Sequence, residues 1–189
     1  MFTREESLAF LREHNKDDMH IRHAYAVEAA MRGFAKHFGE DEDYWGLIGL
    51  MHDIDWEEFP STDTHPMKGG EMLTSLGYPE DFVHTVLAHG WEYSGVKPET
   101  LCEKTLYTVD ELTGFITAVA LVRPSKSLCD LEVKSVKKKW KDKGFARAVN
   151  RDVIERGSEL MGEPLDVLIE RTIEALKPVE RELGLGIQD

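Results

Sequence analysis

The stretch Leu50-Met51-His52-Asp53-Ile54-Asp55-Trp56, residues 50–56, decides how the rest of the chain is interpreted. A histidine and an aspartate stand side by side where a strongly apolar segment, residues 44–51, comes to its end. An imidazole next to a carboxylate offers two ligand types that divalent transition metals accept. A carboxylate close to a hydrophobic core also needs a partner, because burying an unpaired charge is very costly. We therefore interpret His52 and Asp53 as a candidate pair of metal ligands.

The segments on either side of this stretch show the spacing and end signals of α-helices. On the segment from about residue 17 to residue 38, His23 recurs with apolar residues at helical spacing, and Gly39 supplies an end signal. A longer segment, from about Thr100 to Val122, carries Asp110. We also predict a loop over residues 90–98 and helices over residues 3–13, 44–54, 66–76, 79–89, 128–141, 145–161 and 164–183. No stretch shows the repeated alternation of a β-strand, so the predicted fold class is all-α.

Length and charge limit the classes of protein to consider. The chain has 189 residues and a formal net charge of -13, which argues against general nucleic-acid binding and against binding to an anionic membrane surface. We predict a single domain over residues 1–189, with a core at about 17–125 and a helical extension at about 126–189. One segment departs from the acidic average, because residues 123–151 carry ten Lys and Arg residues against three acidic ones.

Cysteine usage and the N-terminal sequence indicate a compartment. The two cysteines, Cys102 and Cys129, are too few for a disulfide framework and form no CxxC pair. The N-terminus has no basic region followed by an apolar one, and no apolar run approaches the roughly 18 residues that a membrane span needs. These features predict a soluble cytoplasmic protein without a membrane partner, and they are compatible with an oligomer.

Four of the eight histidines fall in helices, or at helix edges, that are expected to face inward: His23, His52, His65 and His89. The ordered series His23, His52-Asp53, Asp110 resembles the defining pattern of the HD superfamily of metal-dependent phosphohydrolases. The local contexts agree over residues 21–27, 49–55 and 108–112, and the resemblance spans about residues 20–125.

The resemblance implies an HD-domain-like helical bundle with additional C-terminal helices. It also implies that His23, His52, Asp53 and Asp110 bind a divalent transition metal, for which the ligand types suit Mn, Fe, Co, Ni or Zn. A water on that metal would attack phosphorus in a phosphomonoester or nucleotide-like ester, making the protein a hydrolase with a small-molecule substrate.

The number of metal ions is left open by the sequence. In two-metal branches of the superfamily, extra histidines lie between the doublet and the final aspartate, and the doublet's aspartate bridges the ions. By that resemblance, His65 and His89 would hold a second ion and Asp53 would be the bridge. The alternative is that His65 and His89 line the pocket or contact the substrate.

Three further residues near the motif are candidates for supporting roles. Asp55 is interpreted as a proton acceptor, as a partner of a metal ligand, or as a helix cap. Arg123 and Lys68 are candidates for phosphate contacts, since Arg123 ends the helix that carries Asp110 and begins the basic segment.

Two other functions compete with phosphate ester hydrolysis. Some HD-type proteins with a di-iron centre are oxygenases, and the six candidate ligands would permit that chemistry. An HD-like domain could also act without catalysis, as a nucleotide-binding module or as a scaffold.

Overall fold

The computed structural model describes residues 2–186, which fold into α-helices joined by turns without any β-strand. The all-α prediction is therefore confirmed. In chain order, the helices are α1 (Arg4–His14), α2 (Asp18–Phe38), α3 (Glu42–Met51), α4 (Met67–Leu76), α5 (Glu80–His89), α6 (Trp91–Ser94), α7 (Leu101–Leu121), α8 (Val133–Trp140), α9 (Arg151–Met161) and α10 (Leu165–Leu176). Within the described residues, no helix is both long and apolar enough to cross a bilayer.

The two 21-residue helices α2 and α7 form the centre of the bundle, and both have well-defined ends. The side chain of Asp17 accepts a hydrogen bond from the backbone of Met19 at the start of α2. Thr100 and Glu103 form a reciprocal capping box at the start of α7. Such caps satisfy backbone N–H groups that have no partner inside the helix, and each contributes about 1 kcal/mol.

Helix α3 packs closely on α2 because it carries a glycine at the contact. A Cβ atom on Gly49 would lie 2.8 Å from the carbonyl oxygen of Val27, which is shorter than any real Cβ contact. The close approach brings the end of α3, and therefore the residues that follow Met51, against the middle of α2. The stretch around His52 is positioned in this way.

The C-terminal extension packs directly on the two long helices. A Cβ on Gly157 of α9 would lie 2.1 Å from Oγ1 of Thr108 in α7. A Cβ on Gly33 of α2 would lie 2.5 Å from Cβ of Ala175 in α10. Glycines thus allow close contact at both junctions, while the single-domain boundaries stay a prediction.

Several segments differ from the helices predicted from sequence. The helix predicted over residues 128–141 begins only at Val133, and the helix predicted over residues 164–183 ends at Leu176. The predicted loop over residues 90–98 contains the short helix α6, which follows α5 after Gly90. The helix predicted to begin at Phe145 begins instead at Arg151, capped by the side chain of Asn150. Residues 141–150 form turns, in which Ala146 has a φ of 45° that a helix cannot contain.

Candidate metal centre

His52 and Asp53 lie in the turn that directly follows α3. The Nδ1–H of His52 donates to the carbonyl oxygen of Gly49 at 2.8 Å, which leaves the lone pair of Nε2 free. His52 is fully buried, and its Nε2 atom has no hydrogen-bond partner among the described residues. A buried nitrogen with an unused lone pair is costly unless it binds something.

His23, His52 and Asp110 form the first cluster of potential ligands. The Nε2 atom of His23, on α2, lies 2.9 Å from Oδ1 of Asp110, on α7. The Nε2 atom of His52 lies 3.4 Å from the same carboxylate oxygen. Three separate parts of the fold therefore bring two imidazoles and a carboxylate to one point.

Asp53, His65 and His89 form the second cluster. The Nδ1–H of His89 donates to the carbonyl oxygen of Val86, so its Nε2 atom carries a lone pair. The Nε2 atoms of His65 and His89 are 3.0 Å apart, and each lies 3.5 Å from Oδ1 of Asp53. Lone pairs facing one another at this distance repel unless a cation lies between them.

Asp53 stands between the two clusters and turns one oxygen to each. Its Oδ2 atom lies 3.4 Å from Nε2 of His52 and 3.8 Å from Nε2 of His23. Its Oδ1 atom faces the second cluster, 3.5 Å from each of its two imidazoles. A carboxylate in this position is able to bridge two cations.

Asp55 orients the second cluster. Its carboxylate is fully buried, and Oδ1 accepts from Nδ1–H of His65 at 2.9 Å. Its Oδ2 atom accepts from the backbone N–H of Gly69 at 2.8 Å. Both oxygens are therefore engaged, and a Cβ on Gly69 would lie 3.0 Å from Oδ1. Of the roles predicted for Asp55, the geometry fits that of a partner that fixes the tautomer and orientation of a metal ligand.

The electrostatic balance of the site favours a positive charge. Burial opposes the charged form of His52, but Asp53 and Asp110 outweigh it and raise the pKa of His52 well above its usual value. Burial likewise opposes ionisation of Asp110, but His23 and His52 hold its pKa below its usual range. The carboxylates are therefore ionised, and they favour a cation at Nε2 of His52, either a proton or a metal ion that replaces it.

Both clusters open into a cleft of about 390 Å³. Apart from the clustered ligands, its walls carry two aromatic residues, Trp56 and Tyr93, and two acidic ones, Glu111 and Glu92, the latter paired with Arg156. Among the described residues, none that lines the cleft is a Lys or an Arg. Anion binding in the cleft would therefore depend on a bound cation.

Glu111 was not identified from sequence, although it directly follows Asp110 on α7. Burial, reinforced by the neighbouring Asp110, raises the pKa of Glu111 to about 7. The backbone N–H of Asn150 donates to Oε2 of Glu111 at 3.0 Å. The side chains of Ala148 and Val149 line the same wall, so the C-terminal extension is part of the cleft. The sequence signal that could have identified Glu111 is its position next to Asp110, which places two carboxylates side by side.

The two residues predicted to contact phosphate lie outside the cleft. The guanidinium of Arg123 donates to the carboxylate of Asp130 at 2.8 Å and to the hydroxyl of Ser135 at 3.2 Å. The ammonium of Lys68 donates to Glu71 at 2.6 Å. Neither residue is among those that line the cleft, so the structure does not bring them to the candidate metal centre.

Residues 21–114 match the family model of the HD domain, and this segment contains all six clustered His and Asp residues. The chain therefore belongs to the HD superfamily, and the resemblance noted in the sequence is confirmed. HD domains are all-α, bind divalent metals, and mostly act as metal-dependent phosphohydrolases. Comparisons with curated proteins and with solved structures found no match.

The residues present fit such a metal. Four imidazole nitrogens and two carboxylates make a mixed nitrogen and oxygen ligand set, which suits divalent transition metals. The buried lone pair of His52 and the facing lone pairs of His65 and His89 both call for a cation. Neither cysteine belongs to either cluster.

Proposed function

We propose that this protein is a metal-dependent phosphohydrolase that acts on a phosphomonoester or nucleotide-like phosphate ester. The observation that carries the proposal is the position of Asp53, whose two oxygens face two separate ligand clusters. His23, His52 and Asp110 would hold one divalent ion, and His65 and His89 would hold a second. Two ions sharing a carboxylate form a site suited to phosphate ester hydrolysis.

The reaction needs both the metals and a shaped cleft. When bound, divalent ions supply neutralisation of phosphoryl charge and a lowered pKa for water. The protein contributes fixed ligand geometry, because hydrogen bonds to Gly49 and Asp55 hold His52 and His65 with Nε2 available. Trp56 stands edge-on to His65, with ring centroids 4.8 Å apart, and lines the cleft beside the second cluster.

The lining of the cleft limits the substrate. No Lys or Arg within the described part of the chain lines it, so phosphates beyond the one held at the metals would meet no cationic side chain there. A substrate with a single phosphoryl group at the metal centre therefore fits better than a long polyphosphate.

Metal analysis and a phosphate-release screen test the proposal. The purified protein should contain a divalent transition metal and release phosphate from monoesters when Mn²⁺, Co²⁺ or Ni²⁺ is added. In Asp53→Ala we expect phosphate release to fall by more than about a hundredfold, since even the partners of metal ligands account for about 10- to 100-fold. Asp63→Ala, at an exposed position in the same loop region, serves as the matched control. Absence of bound metal, or unchanged turnover in Asp53→Ala, would refute the proposal.

A di-iron oxygenase is the second candidate, and the histidine-rich pair of clusters favours it over a non-catalytic nucleotide-binding module or scaffold. Imidazoles outnumber carboxylates by four to two in the combined ligand set, and imidazole is a good ligand for iron. An oxygenase should consume O₂ in an iron-dependent way when its substrate is added. Phosphate release under anaerobic conditions supports the hydrolase instead.

A further inference from the structure

A second cavity, of about 480 Å³, lies beside the metal cleft along the seam between α2 and α7. We call it the seam groove, and its walls are formed mainly by apolar or small residues: Met19, Ala26, Thr117, Ala118, Leu121 and Leu183. Its rim is unusually apolar for a surface, because Met19 is 69% exposed and Leu121 is 48% exposed. Exposed apolar residues grouped at one cavity mark a binding site more often than chance.

The seam groove borders the metal cleft. His23 and Gly114 line both cavities, so the two cavities meet at these residues. Four residues of α7 are spaced by four, three and four positions and therefore lie along one face of the helix: Asp110, Gly114, Thr117 and Leu121. From Asp110 to Leu121 this face extends about 16 Å. A ligand that crosses the border at His23 and Gly114 would therefore reach from the metal centre into the groove.

Gly114 lies at the border between the two cavities and has no side chain to narrow it. It lies in the interior of α7, where a glycine is less favourable than an alanine. Neither its backbone nor its packing requires a glycine. An added Cβ would meet only Cγ2 of Val149, at an ordinary contact distance of 3.9 Å. This contrasts with Gly49 and Gly157, whose Cβ positions are blocked by neighbouring atoms.

From these observations, and resting on the proposed function, we infer that the substrate is a phosphomonoester of an apolar alcohol. The phosphoryl group would lie at the metal centre, and the hydrocarbon part would pass Gly114 into the seam groove. Burial of hydrocarbon against Ala118 and Leu121 would supply affinity that the cleft, whose described lining residues include no Lys or Arg, does not supply to an anion. Among the described residues that line the groove, Arg22 is the one Arg or Lys. Arg22 is exposed, so its guanidinium can stay in solvent at the edge of the groove.

A series of n-alkylphosphonates, from methyl to octyl, tests the inference as non-hydrolysable probes. Affinity for the Mn²⁺-loaded protein, measured by calorimetry, should rise about fourfold for each methylene buried in the groove. The heat-capacity change of binding should become more negative along the series. In Gly114→Leu, and in Leu121→Asp at the exposed rim, the ratio of octyl to methyl affinity should fall at least tenfold.

Lys36→Leu is the matched control, since it adds a leucine at an exposed position of α2 about 25 Å along the helix from Met19. It should keep the full chain-length dependence. Leu121 is on the surface, so Leu121→Asp should fold normally. If both variants lose the chain-length dependence, a folding defect in Gly114→Leu is not the cause.

Three results would overturn the inference. Equal affinity along the series would show that the groove takes no hydrocarbon, and phosphate release from methyl phosphate would then still support the hydrolase. A chain-length dependence that survives in both groove variants would place the hydrocarbon elsewhere. Self-association that Leu121→Asp abolishes, without any chain-length dependence, would assign the groove to a second copy of the chain. Conversely, a chain-length dependence without phosphate release from any alkyl phosphate would support the groove and refute the hydrolase.

Discussion

The substitution Asp55→Asn should selectively weaken the second metal ion of the proposed pair. In the native protein, Asp55 accepts from Nδ1–H of His65 through one oxygen and from the N–H of Gly69 through the other. An asparagine has one acceptor and one donor group in their place. If its oxygen keeps the bond to Gly69, its amide N–H faces Nδ1 of His65, and the imidazole proton must move to Nε2. That tautomer has no lone pair to offer a metal.

The opposite orientation of the asparagine preserves the ligating tautomer but places its NH₂ group against the N–H of Gly69, 2.8 Å away in the native structure. Leaving a buried donor unsatisfied costs about 1–3 kcal/mol. At about 1.4 kcal/mol for each factor of ten, this cost corresponds to roughly 5- to 150-fold in affinity. The range brackets the 10- to 100-fold that is typical when the partner of a metal ligand is lost.

Calorimetric titration of the metal-free protein with Mn²⁺ measures this effect. The binding step assigned to His23, His52 and Asp110 should stay close to that of the parent protein, and the other step should weaken about 10- to 100-fold. Asp63→Asn, the same change at an exposed position, should leave both steps alone. If Asp55→Asn bound both ions within about twofold of the parent protein, the tautomer reasoning would be refuted.

The remaining predictions concern stability. Gly157→Ala should lower the melting temperature by roughly 2–12 °C, because its Cβ would lie 2.1 Å from Oγ1 of Thr108 and overpacking costs about 1–3 kcal/mol. Gly114→Ala, where the space is open, should leave the melting temperature equal or higher; a loss comparable to that of Gly157→Ala would contradict this account. Glu57 accepts from the backbone N–H groups of Lys16 and Asp17, which lowers its pKa from 4.5 to about 2. Because the folded-state pKa is the lower one, the stabilisation is complete above about pH 4.5 and is lost as the pH falls through 2. Denaturant unfolding of Glu57→Gln should therefore show a stability deficit at neutral pH that disappears between pH 4.5 and 2, and a pH-independent deficit would count against it.

The fold could be predicted from sequence where the signals are local. Gly39 ends α2 in a left-handed conformation, and Thr3 and Glu6 form a capping box on α1, since these effects depend on a few neighbouring residues. The start of α9 could not be predicted in this way. The guanidinium of Arg151 binds the carbonyl oxygens of Asp142 and Phe145 and stabilises turns where helical periodicity continues. Those contacts exist only after the chain has folded.

Nearness in sequence did not bring Arg123 to the cleft. The helix α7 ends at Leu121, already about 16 Å along its axis from Asp110, and the guanidinium of Arg123 is held by Asp130. Glu111 was overlooked because successive side chains of a helix ordinarily point to different faces, and Glu111 directly follows Asp110. Its place in the cleft depends on the packing of residues 148–150 against α7.

The helical class, and the ordered series of His and Asp residues that places the chain in the HD superfamily, could be read from the amino-acid sequence. Both follow from residue types and their spacing along the chain. The orientation of Asp53, with one oxygen toward His23 and His52 and the other toward His65 and His89, is known only from the folded structure. The orientation of one carboxylate depends on where α2, α3, α5 and α7 meet. Spacing along a chain carries no information about which side chains face the same point from separate helices.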